Sequence, residues 1–183
     1  MRFIVIGHPR SGKSTVGGLL SSILDTEATD TSAPLVIVES ARQDILPQFG
    51  GAVQPEEWDN ERDRPARPNL IAIGDAMKLL SPTILVDYCF SRGDVCVGVR
   101  RHDELVAALE KYPDTILVWV VAADEERNDN FDCKMGLPVD QVVIHNDKAG
   151  EDSLRATLEV VVKHYQSKQE TGDGAPDLGS GRD

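Results

Sequence analysis

Short apolar runs alternate along the chain with longer segments in which apolar residues recur every three or four positions. The short runs predict strands, because their nearly continuous apolar character suits strands that are buried on both faces of a sheet. These runs lie at 2–6, 35–38, 95–99, 115–121 and 141–144. Strands that alternate with helices form a parallel sheet covered by helices. The pattern therefore predicts an α/β fold of three layers, with about five parallel strands between helices.

Helices are predicted from the same spacing and from start signals. The run 14–24 follows the first strand, and Pro68 precedes a helical segment at 69–80. Ser81 and Pro82 form a cap and first-turn signal that opens another helix at 83–93. An alternative interpretation of 83–87 is a strand in which Asp87 is a metal-binding carboxylate.

The last third of the chain predicts two more helices and a tail. One apolar stripe consists of Leu105, Val106 and Leu109. A second stripe predicts a C-terminal helix that packs on the sheet, and it consists of Leu154, Leu158, Val161, Val162 and Tyr165. Residues from 167 onward have the composition of a disordered end, so we expect a domain at 1–166 and a disordered acidic tail at 167–183. Three polar segments at 26–34, 50–67 and 123–138 are expected to be mobile.

Composition narrows the classes of protein. The chain has 183 residues and a net charge of −12, so its average surface repels nucleic acid. No apolar run approaches the ~20 residues that cross a bilayer, and no secretory signal is recognisable, so we expect a cytoplasmic location and no membrane partner. The spacing of its cysteines and histidines indicates neither a disulfide framework nor a structural zinc site. These residues are Cys89, Cys96, Cys133, His8, His102, His145 and His164.

The strongest chemical signal is the stretch GHPRSGKST, which follows the first predicted strand and precedes the first predicted helix. Gly7, Gly12, Lys13 and Ser14 match the pattern G-x-x-x-x-G-K-[ST] in that context. Both glycines allow the backbone to approach a phosphate closely, so that successive N–H groups point at its oxygens. The pattern predicts a phosphate-binding P-loop (Walker A) in a P-loop NTPase fold.

Each residue of that loop has a predicted part in binding a nucleotide. The start of the helix attracts anions, Lys13 supplies charge to the β- and γ-phosphates, and Ser14 offers a hydroxyl to Mg²⁺. Thr15 is expected near the α-phosphate. The whole predicted donor site consists of Gly7, His8, Pro9, Arg10, Ser11, Gly12, Lys13, Ser14 and Thr15. A nucleoside triphosphate with Mg²⁺, ATP by default, is the expected ligand.

Among P-loop proteins, a small kinase fits this chain. The guanine-binding motif of GTPases is missing, because HNDK at 145–148 has the wrong order. Arg100 and Arg101 end a predicted strand at the edge where open α/β sheets bind ligands, and Arg100 is predicted to stabilise the migrating phosphoryl group. Further arginines lie in the polar segments, namely Arg62, Arg64, Arg67 and Arg127.

Glu39 is the candidate general base. It ends the predicted strand 35–38, and a nearby carboxylate helps an alcohol acceptor to lose its proton. The alternative is a residue at a helix N-terminus, with Ser40 as the cap. Asp44 and Asp75 are lesser candidates for a base or a metal ligand.

The runs RPNLIAIGD, GVRRHDEL and VVIHND, together with the P-loop, give the chain a resemblance to the phage deoxynucleoside monophosphate kinase group over about residues 1–165. In that group a strand ends in an acid-x-arginine pair followed by a helix with a glutamate, and a late strand ends in Asn-Asp. Arg100, Glu104, Asn146 and Asp147 stand at matching places, whereas Gly98 replaces the acid.

The same runs resemble more closely a phage offshoot of that group, the kinases that phosphorylate 5-hydroxymethyluracil in DNA during thymidine hypermodification. The resemblance implies transfer of the ATP γ-phosphoryl group to the hydroxymethyl oxygen of a base. A base in a duplex must first be flipped out, and Trp58 could stack on it or merely anchor its loop. A soluble deoxynucleoside monophosphate kinase and a regulatory nucleotide-binding module with weak ATPase activity stay open as alternatives. No protein partner is indicated.

Overall fold

The structure is a computed structural model that describes residues 1–45, 67–122, 141–147 and 150–171. Its helices are α1 (Lys13–Leu24), α2 (Ala33–Ile45), α3 (Arg67–Leu80), α4 (Ile84–Arg92), α5 (His102–Lys111) and α6 (Glu151–Thr171). Its strands are β1 (Arg2–Gly7), β2 (Ala28–Asp30), β3 (Val95–Val97), β4 (Thr115–Ala122) and β5 (Gln141–Asn146). The chain divides into two compact units, Met1–Asp147 and Lys148–Asp183, and α6 belongs to the second.

The five strands form one parallel sheet in the order β2-β3-β1-β4-β5. Strand β1 is central, with Val5 beside Val97 of β3 and Val118 of β4. After β1 the chain moves to one side of the sheet for β2 and β3 and then to the other side for β4 and β5. Open α/β sheets bind ligands at such a reversal, outside the carboxyl ends of the strands. The loop after β1 is therefore at the expected place for a ligand.

Alternate residues of β1 face helices on the two sides of the sheet. Ile4 and Ile6 belong to a buried cluster with Val86 of α4 and Leu105 of α5. On the other side, α1 approaches β3 so closely that a side chain at Gly17 would collide with Val97. The predicted α/β architecture, a parallel sheet flanked by helices, is confirmed.

One predicted strand is wrong. The run 35–38 lies inside α2, and the second strand is instead β2, three residues long at the edge of the sheet. Ile37 and Val38 are exposed, so the β-branched run that suggests a buried strand is half outside the core. The helix begins earlier, where the carbonyl oxygen of Ser32 accepts a hydrogen bond from the Val36 amide at 3.0 Å, and Pro34 lies in the first turn.

The helical interpretation of 83–87 is confirmed, because these residues open α4, and the strand alternative is wrong. The Asp87 carboxylate accepts hydrogen bonds from Thr83, Lys111 and Tyr112 at 2.7–3.0 Å, so it is occupied as a structural acceptor. Cys89 and Cys96 are free thiols in the core. The predicted mobile segment 26–34 contains β2 and the start of α2, whereas 50–66 and 123–138 lie outside the described residues.

The C-terminal helix forms as predicted and continues to Thr171, past the expected domain limit at residue 166. The tail beyond it is outside the described residues, and the packing of α6 on the sheet stays a prediction. In the described part of the chain, no single helix is long and apolar enough to cross a membrane. Among the helices that the structure describes, α3 and α4 taken together meet that length and composition, and they are bent by 93° at the break between them.

Candidate functional site

The loop between β1 and α1 is shaped by two glycines. Gly12 has a φ of 94°, a left-handed conformation that side chains rarely adopt, and a Cβ there would collide with the amide group of Asn146. A Cβ at Gly7 would collide with the carbonyl oxygen of Val120 and would lie 2.6 Å from Ser11 Oγ. The two glycines are therefore required for the backbone to form this tight turn against β4 and β5.

The turn leaves the start of α1 open. Gly12 is the N-cap residue and has no side chain with which to cap the helix. The amides of the first turn consequently have no intrahelical acceptor, which is the arrangement that binds phosphate. Ser14 and Thr15 are in that turn, and Thr15 is exposed. An uncapped helix start behind a tight glycine turn thus lies at the carboxyl edge of the sheet.

Lys13 lies over the loop that it is predicted to serve. Its Nζ donates a hydrogen bond to the carbonyl oxygen of His8 at 2.6 Å, and the Ser11 amide donates to the same oxygen at 3.2 Å. The imidazole of His8 is buried in the loop, 4% exposed. Because an ammonium group can exchange one acceptor for another, Lys13 is placed to move from this carbonyl to a phosphate oxygen.

Asn146 holds the loop in place from the side of β5, a role that the sequence did not predict. It ends β5, and its Nδ2 donates a hydrogen bond to the carbonyl oxygen of Ser11 at 3.0 Å. The bond turns this carbonyl toward β5, so that its oxygen is held by a donor from the protein. Ser11 itself is fully buried, and its Oγ has no hydrogen-bond partner among the described residues. A loop held this firmly loses little entropy when it binds a ligand.

A carboxylate that sequence reasoning missed lies beside the glycine that replaces the expected acid. Gly98 follows β3 with a φ of 92°, and a Cβ built there would be 3.0 Å from Asp30 Oδ2 and 3.3 Å from Oδ1. Asp30 ends the neighbouring strand β2, and its Oδ1 accepts hydrogen bonds from the amide and the hydroxyl of Ser32, both at 2.7 Å. An acid therefore does stand next to this position, contributed by the adjacent strand. The sequence did not predict the position of Asp30, because β2 is short and polar and gives no strand pattern.

Glu39 is not where it was predicted to be. It lies within α2, away from any strand end and past the helix start, and Ser40 is also inside the helix and does not cap it. The Glu39 side chain is fully buried and accepts two hydrogen bonds from Arg42, at 2.6 and 2.7 Å, and one from Asn69 of α3 at 3.1 Å. This ion pair raises the pKa of Arg42, chiefly through its hydrogen bond to Glu39. The contacts join α2 to α3.

The arginines differ in what they contact. Arg100 is exposed after β3, the neighbour of β1, and forms no ion pair within the described part of the chain. Arg101 forms an ion pair with Asp75 at 2.6 Å. The carboxylate of Asp75, a lesser candidate for the base, is therefore already paired. The side chains of Arg67 and Asp44 are outside the described residues, as are Trp58, Arg62, Arg64, Arg127 and Cys133. Of the predicted arginines, Arg100 alone within the described ranges is both at the carboxyl edge and outside an ion pair.

A cleft of about 280 Å³ opens between α3 and the start of α5. Its lining residues are Asp75, Lys78, Leu79, Pro82, Arg101, Asp103 and Glu104. Two ion pairs join the helices there, Arg101 with Asp75 and Lys78 with Glu104, the second at 3.3 Å. Burial raises the pKa of Glu104, and the charge of Lys78 opposes that rise. Sequence reasoning had named Glu104 but had assigned it no partner.

No family model matches the chain, and no curated protein matches it. The comparison with solved structures gives matches at low identity. A sugar kinase of Janibacter sp. HTCC2649 is 12% identical, with 88% of this chain and 94% of that chain covered and a TM-score of 0.43. A provisionally assigned kinase of Chloroflexus aurantiacus is 15% identical, with 88% and 96% covered and a TM-score of 0.44. Identities and TM-scores this low support no functional assignment.

Proposed function

We propose that the protein is an ATP- and Mg²⁺-dependent P-loop kinase whose acceptor is an alcohol on a deoxynucleotide, most specifically the hydroxymethyl group of 5-hydroxymethyluracil in phage DNA. The observation that carries the proposal is the open start of α1 behind a loop that only glycines can form, with Lys13 above it. This arrangement offers backbone N–H groups, a helix dipole and a mobile cation to one polyphosphate.

The residues present fit a magnesium nucleotide. The amides of 12–15 and Lys13 would hold the phosphates, and the Ser14 hydroxyl, in the first turn of α1, would bind the metal. Mg²⁺, when bound, neutralises charge on the phosphate oxygens. Asn146 keeps the loop in its binding shape through Ser11. Arg100, which has no carboxylate partner in the described ranges, would stabilise charge on the migrating group.

In the transfer step the acceptor oxygen bonds to the γ-phosphorus, and the bond from that phosphorus to the ADP oxygen breaks. The acceptor's proton must leave, and Asp30 is the better candidate base than Glu39. The Glu39 carboxylate is fully buried, and both of its oxygens accept hydrogen bonds from Arg42 or Asn69, so an acceptor hydroxyl has no access to it. Asp30 is exposed at the carboxyl edge, two strands from β1, and is oriented by Ser32.

The identity of the acceptor depends on the resemblance and on one argument from charge. The net charge of −12 disfavours a DNA strand and favours a free deoxynucleotide, so a soluble monophosphate kinase is the second candidate. Gly98 in place of the acid favours the DNA-base kinase instead. A regulatory module would keep the donor site and transfer nothing.

Labelled ATP, supplied in parallel with hydroxymethyluracil DNA, normal DNA and each free deoxynucleoside monophosphate, separates these candidates. We expect label on hydroxymethyluracil DNA alone. Label confined to free monophosphates would identify the soluble kinase, and no transfer to any acceptor would identify the regulatory module. Lys13→Ala should abolish transfer, whereas Lys163→Ala, which changes an exposed lysine on α6, should not.

A further inference from the structure

A short stretch of chain connects the cleft between α3 and α5 to the strand beside β1, where the proposed transfer site begins. Strand β3 lies beside β1, and the three residues from Gly98 to Arg100 lead from it directly to Arg101 and α5. Arg101, which lines the cleft, therefore directly follows Arg100 in the chain. The cleft is distinct from the P-loop, because none of its lining residues belongs to that loop.

Glu104 lines this cleft and is buried, but one of its two carboxylate oxygens has no hydrogen-bond partner among the described residues. It is 3% exposed, and one oxygen, Oε2, lies 3.3 Å from Lys78 Nζ. The other oxygen, Oε1, is buried and has no hydrogen-bond partner among the described residues. A buried polar atom without a partner costs about 1–3 kcal/mol. Such an atom in a native protein calls for a partner that the described residues do not supply, such as a water molecule, an ion or a ligand.

The usual reason for a glutamate at this position is missing. Glu104 is the third residue of α5, where a glutamate ordinarily reaches back to the amide of the N-cap residue. The N-cap residue Arg101 has no side-chain cap bond, and Glu104 is directed toward α3 and Lys78. Glu104 is therefore directed across to the neighbouring helix α3.

The lining predicts the class of ligand. Three carboxylates, those of Asp75, Asp103 and Glu104, outnumber the two cations Lys78 and Arg101, so an anion is disfavoured. Leu79 and Pro82 offer apolar contact. At about 280 Å³ the cleft is at the lower limit of the ~300–1,000 Å³ of ligand sites, which suits one ring and not a complete nucleotide.

We propose that the cleft binds the base of the acceptor as a neutral pyrimidine ring, with Glu104 accepting a hydrogen bond from the ring N–H and Lys78 donating one to the adjacent carbonyl. The two side chains lie side by side, as the donor and acceptor on a uracil or thymine edge do. This inference rests on the proposed function and specifies its acceptor as a base of the uracil type.

Binding of thymidine to the full-length protein in the absence of ATP tests the proposal, measured by saturation-transfer NMR or calorimetry. N3-methylthymidine is the matched probe, because a methyl group replaces the hydrogen that N3 would donate to Glu104. We expect saturable binding of thymidine and a loss of about tenfold or more for the methylated probe. Glu104→Gln should weaken thymidine binding by a smaller factor, because its amide oxygen still accepts the hydrogen bond but carries no charge. Glu110→Gln, at an exposed position of the same helix, should leave binding unchanged.

Leu79→Ala provides a second variant, which should leave the fold intact because Leu79 is 89% exposed, and it should also weaken thymidine binding. Each of three results would overturn the proposal. They are equal binding of thymidine and N3-methylthymidine, thymidine binding that neither Glu104→Gln nor Leu79→Ala weakens, and no saturable binding of thymidine. Failure here is separable from failure of the kinase proposal, because binding of magnesium nucleotide at the P-loop is measured without thymidine. Lys13→Ala should abolish nucleotide binding and preserve thymidine binding.

Discussion

Glu39 and Glu104 are both glutamates buried in helices that follow strands, and both lie beside a cation, yet their surroundings differ. Glu39 has both oxygens occupied, by two bonds from Arg42 and one from Asn69. Glu104 has one oxygen near Lys78 and the other without a partner among the described residues. A saturated carboxylate holds helices together, whereas a half-satisfied one retains the capacity to bind something else. Burial alone therefore does not distinguish a structural acid from a functional one.

The largest expected effect separates Glu39 from Asp30 as the base. Asp30→Asn keeps the shape of the side chain and removes its ability to accept a proton, so kcat for phosphoryl transfer should fall by about 10²–10⁴. Glu39→Gln should change kcat little once the fraction of folded protein is taken into account. Single-turnover kinetics with labelled ATP measure both. A large fall for Glu39→Gln in folded protein would restore Glu39 as the base.

The next effect concerns the stability that a saturated carboxylate supplies. Glu39→Ala removes three hydrogen bonds between and within α2 and α3 and should lower the free energy of unfolding by about 2–3 kcal/mol. Arg42 is part-exposed and can turn to water, which keeps the loss below that of a fully buried pair. Urea denaturation measures it, with Glu110→Ala as the exposed control. Equal stability of the two variants would remove Glu39 from the helix interface.

Glu104→Gln, unlike Glu39→Ala, should not lower the free energy of unfolding at pH 7. Burial raises the pKa of Glu104, and a raised folded-state pKa contributes stability at low pH that is lost as the pH rises above about 4.3 and through the folded value. A glutamine at this position does not ionise, so the variant does not lose stability as the pH rises. It should therefore be as stable at pH 7 as the native protein, within about 1 kcal/mol, or more stable. Its stability should also vary less between about pH 4 and pH 7.

Thermal or urea denaturation across that range measures the effect for the native protein and Glu104→Gln. A drop of about 2 kcal/mol or more at pH 7 in the variant would make Glu104 a structural acid like Glu39. The comparison between the two glutamates would then fail.

The smallest effect is expected at Asp87, a part-exposed acid that is saturated like Glu39. Burial alone would raise its pKa, but the hydrogen bonds from Lys111, Tyr112 and Thr83 outweigh burial and lower it. A lowered folded-state pKa stabilises the fold above the ordinary value, and this contribution is lost as the pH falls through the folded value. Asp87→Asn should reduce stability at pH 7 by about 1 kcal/mol, and the difference should shrink below about pH 4.

Asp114→Asn, at an exposed position that forms no ion pair within the described residues, should show no such pH-dependent difference in urea denaturation. A difference for Asp87→Asn that stays constant down to about pH 2 would show that its carboxylate charge is not what stabilises α4 against α5.

Sequence patterns predicted the regions in which local and tertiary signals agree. Strand β1, the loop after it and α1 were identifiable because the glycines, Lys13 and the apolar runs all indicate one strand-loop-helix unit. The region from β2 to α2 was misread because an edge strand of three residues, ATD, leaves almost no apolar pattern, whereas LVIV in α2 imitates a buried strand. Pro34, in the first turn of α2, was the signal that could have corrected it.

Long-range contacts account for the rest. The bond from Asn146 to Ser11 joins residues that are 135 positions apart, and no spacing rule predicts it. The proximity of Asp30 to Gly98 depends on the order of the strands, which places β2 beside β3. The missing partner of Glu104 Oε1 among the described residues likewise depends on how α3 meets α5. Such features arise from packing and not from local sequence.

The central claim is that the loop of Gly7 to Thr15 holds a nucleotide polyphosphate. Calorimetric titration of the protein with Mg²⁺ and a non-hydrolysable ATP analogue tests it most directly. We expect one saturable site in the native protein and loss of that site in Lys13→Ala, with Lys163→Ala unchanged. No saturable uptake at millimolar nucleotide, or equal uptake by Lys13→Ala, would contradict the claim.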